Sequence, residues 1–214
     1  MTTHIKFINS FGKEISPDQA LASDFYRKIT VENTAVMKVE LVLSQHRIGS
    51  VHYFLSLEDD KQVILNSHFD RYPEKTFCSL FFNKISSGSF NQWDREDYKS
   101  KIGLKYKGID VYDENHQLIC DCQFDLLTGK LKAGGKKQFY GDSNDDEPDD
   151  RLVFFYNEEG DIDHVIDMNG NYGYNDSISL EELLEDERLS QELFPWDQHI
   201  YFHHLTPYLP IGRV

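Results

Sequence analysis

The sequence predicts an α+β chain that is mainly β: an antiparallel meander of eight or nine strands, with an N-terminal helix and a C-terminal capped helix. Three observations predict it. The period-two segments follow one another without crossover helices, which argues against a parallel sheet. Aromatic residues make up 14% of the chain, against 39% hydrophobic overall, and such rings favour pleated, half-buried surfaces. Two helix-start signals stand apart from those segments, one near each end of the chain.

The elements are read in order. Residues 5–8 form a short strand. Ser16-Pro17-Asp18-Gln19 starts a helix, with Ser16 as N-cap, Pro17 in the first turn and Gln19 reaching back as capping-box partner. Ala20, Leu21, Phe25 and Ile29 continue at helical spacing, so the helix is expected to run to about Lys28. From Ala35 the period changes, and residues 36–43, 50–56, 62–66 and 76–82 read as strands. Residues 86–93 read as loop, and 94–101 as a helical turn or an exposed loop. Residues 102–112 and 117–124 form a hairpin. In its second strand Leu118, Cys120, Cys122 and Phe124 share one face, while Ile119, Asp121, Gln123 and Asp125 share the other. Residues 129–141, rich in Gly and Lys, are expected to be irregular. Residues 152–156 and 162–167 form another hairpin, with Gly160 suited to a left-handed position in its turn. Ser179 and Glu182 make a second capping box. Leu180, Leu183, Leu184, Leu189 and Leu193 then give one apolar stripe on a helix from about 180 to 193, which Pro195 stops. The tail from Trp196 is expected to pack as extended chain. One domain over 1–214 is expected, with a subdivision near 94–101 or at 142–150 as the alternative.

Charge is the strongest functional signal. The chain carries 37 acids and 22 bases, net −15. Between Asp142 and Asp197 stand nineteen acids against Arg151 and Arg188, so this stretch is −17 and the remainder, 20 bases and 18 acids, is +2. In 142–150 seven of nine side chains are Asp, Asn or Glu, a composition for a solvated loop. Such a surface attracts a basic partner and repels nucleic acid, whose phosphates would meet the same carboxylates. No apolar run long enough for a membrane span occurs. The first residues, Met1 to Phe7, lack a basic patch followed by an apolar core, so no secretory signal is expected. Three cysteines do not make a disulfide framework, which leaves the cytoplasm as the expected compartment.

Several local patterns invite chemistry. Cys120-Asp121-Cys122 points two sulfurs the same way on a strand, as two ligands of one metal ion would be, but Leu118 and Phe124 share that face and favour buried, unreactive thiols. His199 and His203 would share a helical face with Asp197 nearby; an aromatic, partly exposed tail is the plainer reading. No Walker, Gly-x-Ser-x-Gly, dinucleotide-binding or His-Glu-x-x-His motif occurs. Neither a catalytic residue nor a cofactor is assigned.

Three resemblances rest on these residues. Tyr112-Asp113-Glu114 and Tyr156-Asn157-Glu158 open two like segments, similar to the Tyr-Asp repeats of bacterial Rhs-type proteins; two copies are read as two hairpins with one turn chemistry. Residues 167–183 resemble the calcium loop of EF-hands and dockerins. Counted from Asn171, Ile178, Ser179 and Glu182 fall at the eighth, ninth and twelfth positions, whereas Asn171, Gly173 and Asp176 depart from the pattern. The plainer reading is a Gly/Asn turn leading into a capped helix. In overall character, acidic, motif-free and β-rich, the chain resembles the immunity proteins of bacterial polymorphic-toxin and contact-dependent inhibition systems. That resemblance implies a protein that masks a basic partner such as a toxin nuclease, through Asp145, Asp146, Glu147, Asp149 and Asp150 and, behind them, Glu181, Glu182, Glu185 and Asp186. The alternative is a calcium-binding module or an enzyme with a dispersed site.

Overall fold

In the computed structural model, described for residues 2–9, 13–33, 35–72, 76–101, 103–114, 116–141, 152–167, 177–185, 196–206 and 208–209, strands dominate. They are β1 (Thr3–Ile8), β2 (Glu14–Ile15), β3 (Tyr26–Glu32), β4 (Ala35–Leu43), β5 (Arg47–Phe54), β6 (Phe77–Ser87), β7 (Phe90–Tyr98), β8 (Leu104–Tyr112), β9 (Leu118–Phe124), β10 (Leu131–Tyr140), β11 (Leu152–Tyr156), β12 (Ile162–Asp167) and β13 (Ser177–Ile178). Among the described residues the helices are α1 (Pro17–Leu21), α2 (Lys61–Arg71) and α3 (Leu180–Glu185). The strands form a single open sheet in the order β13-β12-β11-β10-β9-β8-β7-β6-β5-β4-β3-β1-β2. The α+β, mainly β class read from the sequence is the class observed. No helix among the described residues is long and apolar enough to cross a membrane.

The chain divides into two compact units: Met1–Asn83 with Asp94–Lys107, and Lys84–Trp93 with Gly108–Val214. In the first, α1 starts as the sequence predicts. Gln19 N donates to Ser16 Oγ at 3.2 Å, and Ser16 N donates to Gln19 Oε1 at 2.9 Å. The helix ends at Leu21, not near Lys28. From Tyr26 the chain is β3, whose backbone pairs with β1 on one side and β4 on the other. The β-branched Ile29, Thr30 and Val31 suit that double pairing better than a helix.

The second difference is larger. Residues 62–66, expected as a strand, lie in α2. Asp60 caps it, its Oδ1 accepting from Gln62 N at 2.7 Å and Val63 N at 3.2 Å. The apolar run Val63-Ile64-Leu65 fits either period, and the cap decides it. α2 is a crossover: β5 and β6 are parallel, with Ser50 opposite Phe77 and Phe54 opposite Phe81. The expected meander therefore contains one parallel step. Leu65 of α2 packs with Leu55, Cys78 and Leu80, flanked by Ile64 and Phe69. Residues 94–101 are not a helical turn; 94–98 complete β7, which follows β6 through a turn at Gly88 (φ +57°).

In the second unit, 131–140 is a strand rather than irregular chain, and its glycines explain why. Leu131 lies opposite Phe124, but Lys136 lies opposite Cys122, so β10 carries three more residues than β9 over that interval. Gly134 takes φ +61°, and a Cβ on Gly135 would sit 2.6 Å from Lys132 O and 2.7 Å from Gln123 O. An odd number of extra residues exchanges the faces of a strand. Lys136 and Gln138 are thereby turned to the side of Cys120 and Cys122, and all four are buried.

Leu152, Phe154, Tyr156, Val165, Ile178, Leu183 and Phe202 form the unit's main apolar cluster. The tail is not extended: 3-10 turns at Trp196–Gln198 and Ile200–His203 bring Phe202 to within 4.9 Å of the Phe154 ring. The two similar segments do share one turn chemistry. Asp113 N donates to Gln117 O at 3.0 Å, and Asn157 N donates to Asp161 O at 2.9 Å. The left-handed position falls on His116 (φ +63°) in one and on Gly160 (φ +97°) in the other.

The bulge makes a testable prediction. Gly135→Ala is expected to cost about 3 kcal/mol in urea unfolding, because backbone oxygens crowd the new Cβ. Gly88→Ala, open on all sides, is expected to cost about 1 kcal/mol from its φ alone.

Candidate functional site

In the first unit, β4 and α2 gather a buried titratable network. Tyr72 Oη donates to Glu40 Oε1 at 2.5 Å. Lys28 Nζ lies 3.3 Å from Glu40 Oε2, and Lys38 Nζ 3.4 Å from Oε1. Burial pushes the Glu40 carboxyl up, but the Tyr72 hydroxyl and the two lysines outweigh it and leave its pKa below the usual range. Next to it, His68 Nε2 donates to Thr76 O at 3.4 Å, so its Nδ1 accepts from Tyr53 Oη at 3.2 Å. Burial pushes His68 down, against the opposing pull of the Thr76 carbonyl. Burial also pushes the Tyr53 and Tyr72 hydroxyls up. Tyr53, His68 and Tyr72 each hydrogen-bond a neighbour within the unit, and Glu40 Oε2, which makes no hydrogen bond among the described residues, is met by the Lys28 ammonium. The network holds α2 to the sheet, and its hydrogen bonds are engaged internally.

A second polar group lies on β5. His52 Nε2 is 3.4 Å from Ser50 Oγ, and the ring sits 5.5 Å from that of Phe81. Burial pushes its pKa down to about 4, with help from Arg95 and Arg27.

In the second unit a buried cation is met, among the described residues, by groups other than a carboxylate. Lys136 Nζ donates to His204 O at 2.8 Å and Leu205 O at 2.7 Å, and stands 4.4 Å from the centre of the Tyr156 ring. Burial lowers its pKa. Tyr156 Oη donates to Phe202 O at 2.7 Å and also touches the Gln138 side-chain amide. These contacts fasten the tail to β10 and β11. Cys120 Sγ and Cys122 Sγ lie 3.8 Å apart in the same interior. The Cys122 thiol is pushed up by its contact with Cys120 and then by burial, which makes thiolate chemistry unfavourable there. His199 precedes the second 3-10 turn with non-helical backbone and packs on Tyr140 at 4.7 Å, so the His199/His203 pair does not take the helical spacing of a metal site.

The predicted partner-binding residues fall in two groups. Asp145, Asp146, Glu147, Asp149, Asp150 and Asp186 lie outside the described residues, as do 168–176 of the calcium-like segment. Glu181, Glu182 and Glu185 are exposed on α3. Glu182 is the capping partner the sequence predicts: Ser179 N donates to its Oε2 at 2.7 Å, and Glu182 N donates to Ser179 Oγ at 3.1 Å. The Ser179 amide, then its hydroxyl, hold the Glu182 carboxyl below its ordinary pKa. Glu182 is thus committed to its own helix, whereas Glu181 and Glu185 make no such bond among the described residues.

Reasoning from sequence missed a cleft in the same unit. It has a volume of about 400 Å3 and is lined by Phe90, Ile119, Phe139 and Tyr140 with Asp113 and Glu114. Gly141, the residue before the acidic run 142–150, also lines it. Only Asp113 and Glu114 carry a signal in sequence, as the start of a turn segment; the aromatic wall depends on strands far apart in the chain. No family model, curated protein or solved structure shows a significant match to the chain.

His52 sets a pH dependence. Its pKa is about 4 in the folded chain against 6.5 unperturbed. The unfolded chain binds the proton first, so stability is whole above the unfolded value and falls as pH drops through the window between the two. From about pH 7 to pH 5 the wild type should lose roughly 1–2 kcal/mol more than His52→Gln in urea unfolding, after allowance for partial exposure.

Proposed function

We propose that this chain is an acidic binding protein that masks a basic partner, and that the partner is a toxin domain, a nuclease, which the chain neutralises as immunity proteins do. One observation carries the reading. Glu158, Glu159 and Asp161 at the β11–β12 turn and Glu181 and Glu185 on α3 are all exposed. Among the described residues none of these five is in an ion pair, whereas the first unit pairs lysines with Glu14, Glu40, Asp70 and Glu96. These carboxylates belong to the stretch of −17 that begins at Asp142.

The chemistry follows from Coulomb attraction. A nuclease holds phosphate with Lys and Arg, so its site is positive, and a negative surface competes for it. Attraction between exposed opposite charges accelerates encounter more than it deepens affinity, and salt screens it. Unpaired carboxylates suit this role because no internal cation must be displaced when the partner arrives. The exposed acids without ion pairs among the described residues support a binding role.

The test takes a nuclease toxin domain whose gene neighbours this one, and the absence of any such gene would count against the reading. Replacing Asp145, Asp146, Asp149 and Asp150 with Asn and Glu147 with Gln should slow association about tenfold at low salt and flatten its salt dependence, as read by stopped flow. An association rate and salt slope equal to those of the wild type would remove the acidic run as the contact.

A further inference from the structure

Resting on that reading of an acidic surface for a basic partner, we infer that the cleft beside Gly141 is the pocket for one arginine side chain of that partner. Phe90, Ile119, Phe139 and Tyr140 line it, with Asp113 and Glu114 as its carboxylates and Ser89 and Gln117 as further polar groups.

Three features select this occupant. The lining joins aromatic rings to carboxylates, and a guanidinium is the side-chain group that uses both: it packs flat on a ring and forms hydrogen bonds to carboxylate oxygens at its edge. The carboxylates are available. Asp113 Oδ1 accepts from Gln117 N at 2.7 Å and fixes the turn, which leaves Oδ2 for a ligand. Glu114 is exposed, and among the described residues its carboxylate takes no ion pair. Chain continuity supplies the third feature. Gly141 lines the cleft and directly precedes the acidic run 142–150 in sequence, so the cleft and the run are neighbours along the chain. The cleft, at about 400 Å3, has room for one long side chain and not for a folded element. Encounter would be guided by the acidic run and register fixed by the cleft, because buried Arg anchors dominate interfaces of this kind.

The test needs no partner. The full chain is titrated with N-acetyl-arginine amide and, separately, with N-acetyl-citrulline amide, its neutral analogue, while amide shifts are followed by NMR. The arginine probe should saturate shifts at Gln117, Ile119, Phe139 and Gly141, with a Kd on the order of millimolar, and the citrulline probe should not. Glu114→Gln, at an exposed turn where folding is not at risk, should weaken the arginine probe about threefold. Equal binding of the two probes, shifts confined to other surfaces, or no effect of Glu114→Gln would overturn the cleft assignment. Those results would leave the wider reading intact if the acidic-run variant still slowed association with the toxin domain. Conversely, arginine binding in the cleft together with unaltered association would sustain the pocket and remove the acidic run.

Discussion

A charge can leave water only if something replaces the water, and that constraint sorts the residues of this protein. Glu40 goes inside because Lys28, Lys38 and Tyr72 converge on it. Lys136 goes inside because two backbone carbonyls and an aromatic ring meet it. The carboxylates of the last third of the chain have two bases among them in sequence and so no means of burial in number. Among the described residues Glu158, Glu159 and Asp161 stand exposed on a turn and Glu181, Glu182 and Glu185 on a short helix, while Asp167 alone of this stretch is buried. The same rule builds the interior of each unit and the exterior of the second.

Where local chemistry decides an element, the sequence reveals it. Both capping boxes, at Ser16 and Ser179, form with both hydrogen bonds in place, because a cap needs only four neighbouring residues. The turns at Asp113 and Asn157 are alike for the same reason. The strands of the 104–124 and 152–167 hairpins show their period plainly. Where long-range packing decides, the pattern misleads. Ala20, Leu21, Phe25 and Ile29 keep helical spacing, yet pairing with β1 and β4 takes Tyr26 onward into a strand. The run 62–66 fits both periods, and only the Asp60 cap and the parallel step make it a helix.

The candidate site divides along the same line. Exposed acids are legible from charge alone, since carboxylates without cations stay in water. The cleft is not, because Phe90, Ile119 and Phe139 come from three strands and meet only through the sheet order. Lys136 shows the hardest case. By simple alternation it belongs on the outer face of β10, and a two-glycine bulge reverses it. A Gly-Gly-Lys-Lys run looks like irregular chain until the register of the neighbouring strand is known.

The central claim is that the second unit presents an outward negative potential while the first is balanced. Relaxation of amide protons by cationic and anionic nitroxide probes measures that potential residue by residue. The account predicts stronger relaxation by the cationic probe at Glu158, Glu159, Asp161, Glu181 and Glu185 and along 142–150, with near-equal effects around Lys6, Lys61 and Lys101. Equal relaxation by the two probes at the acidic positions would contradict it.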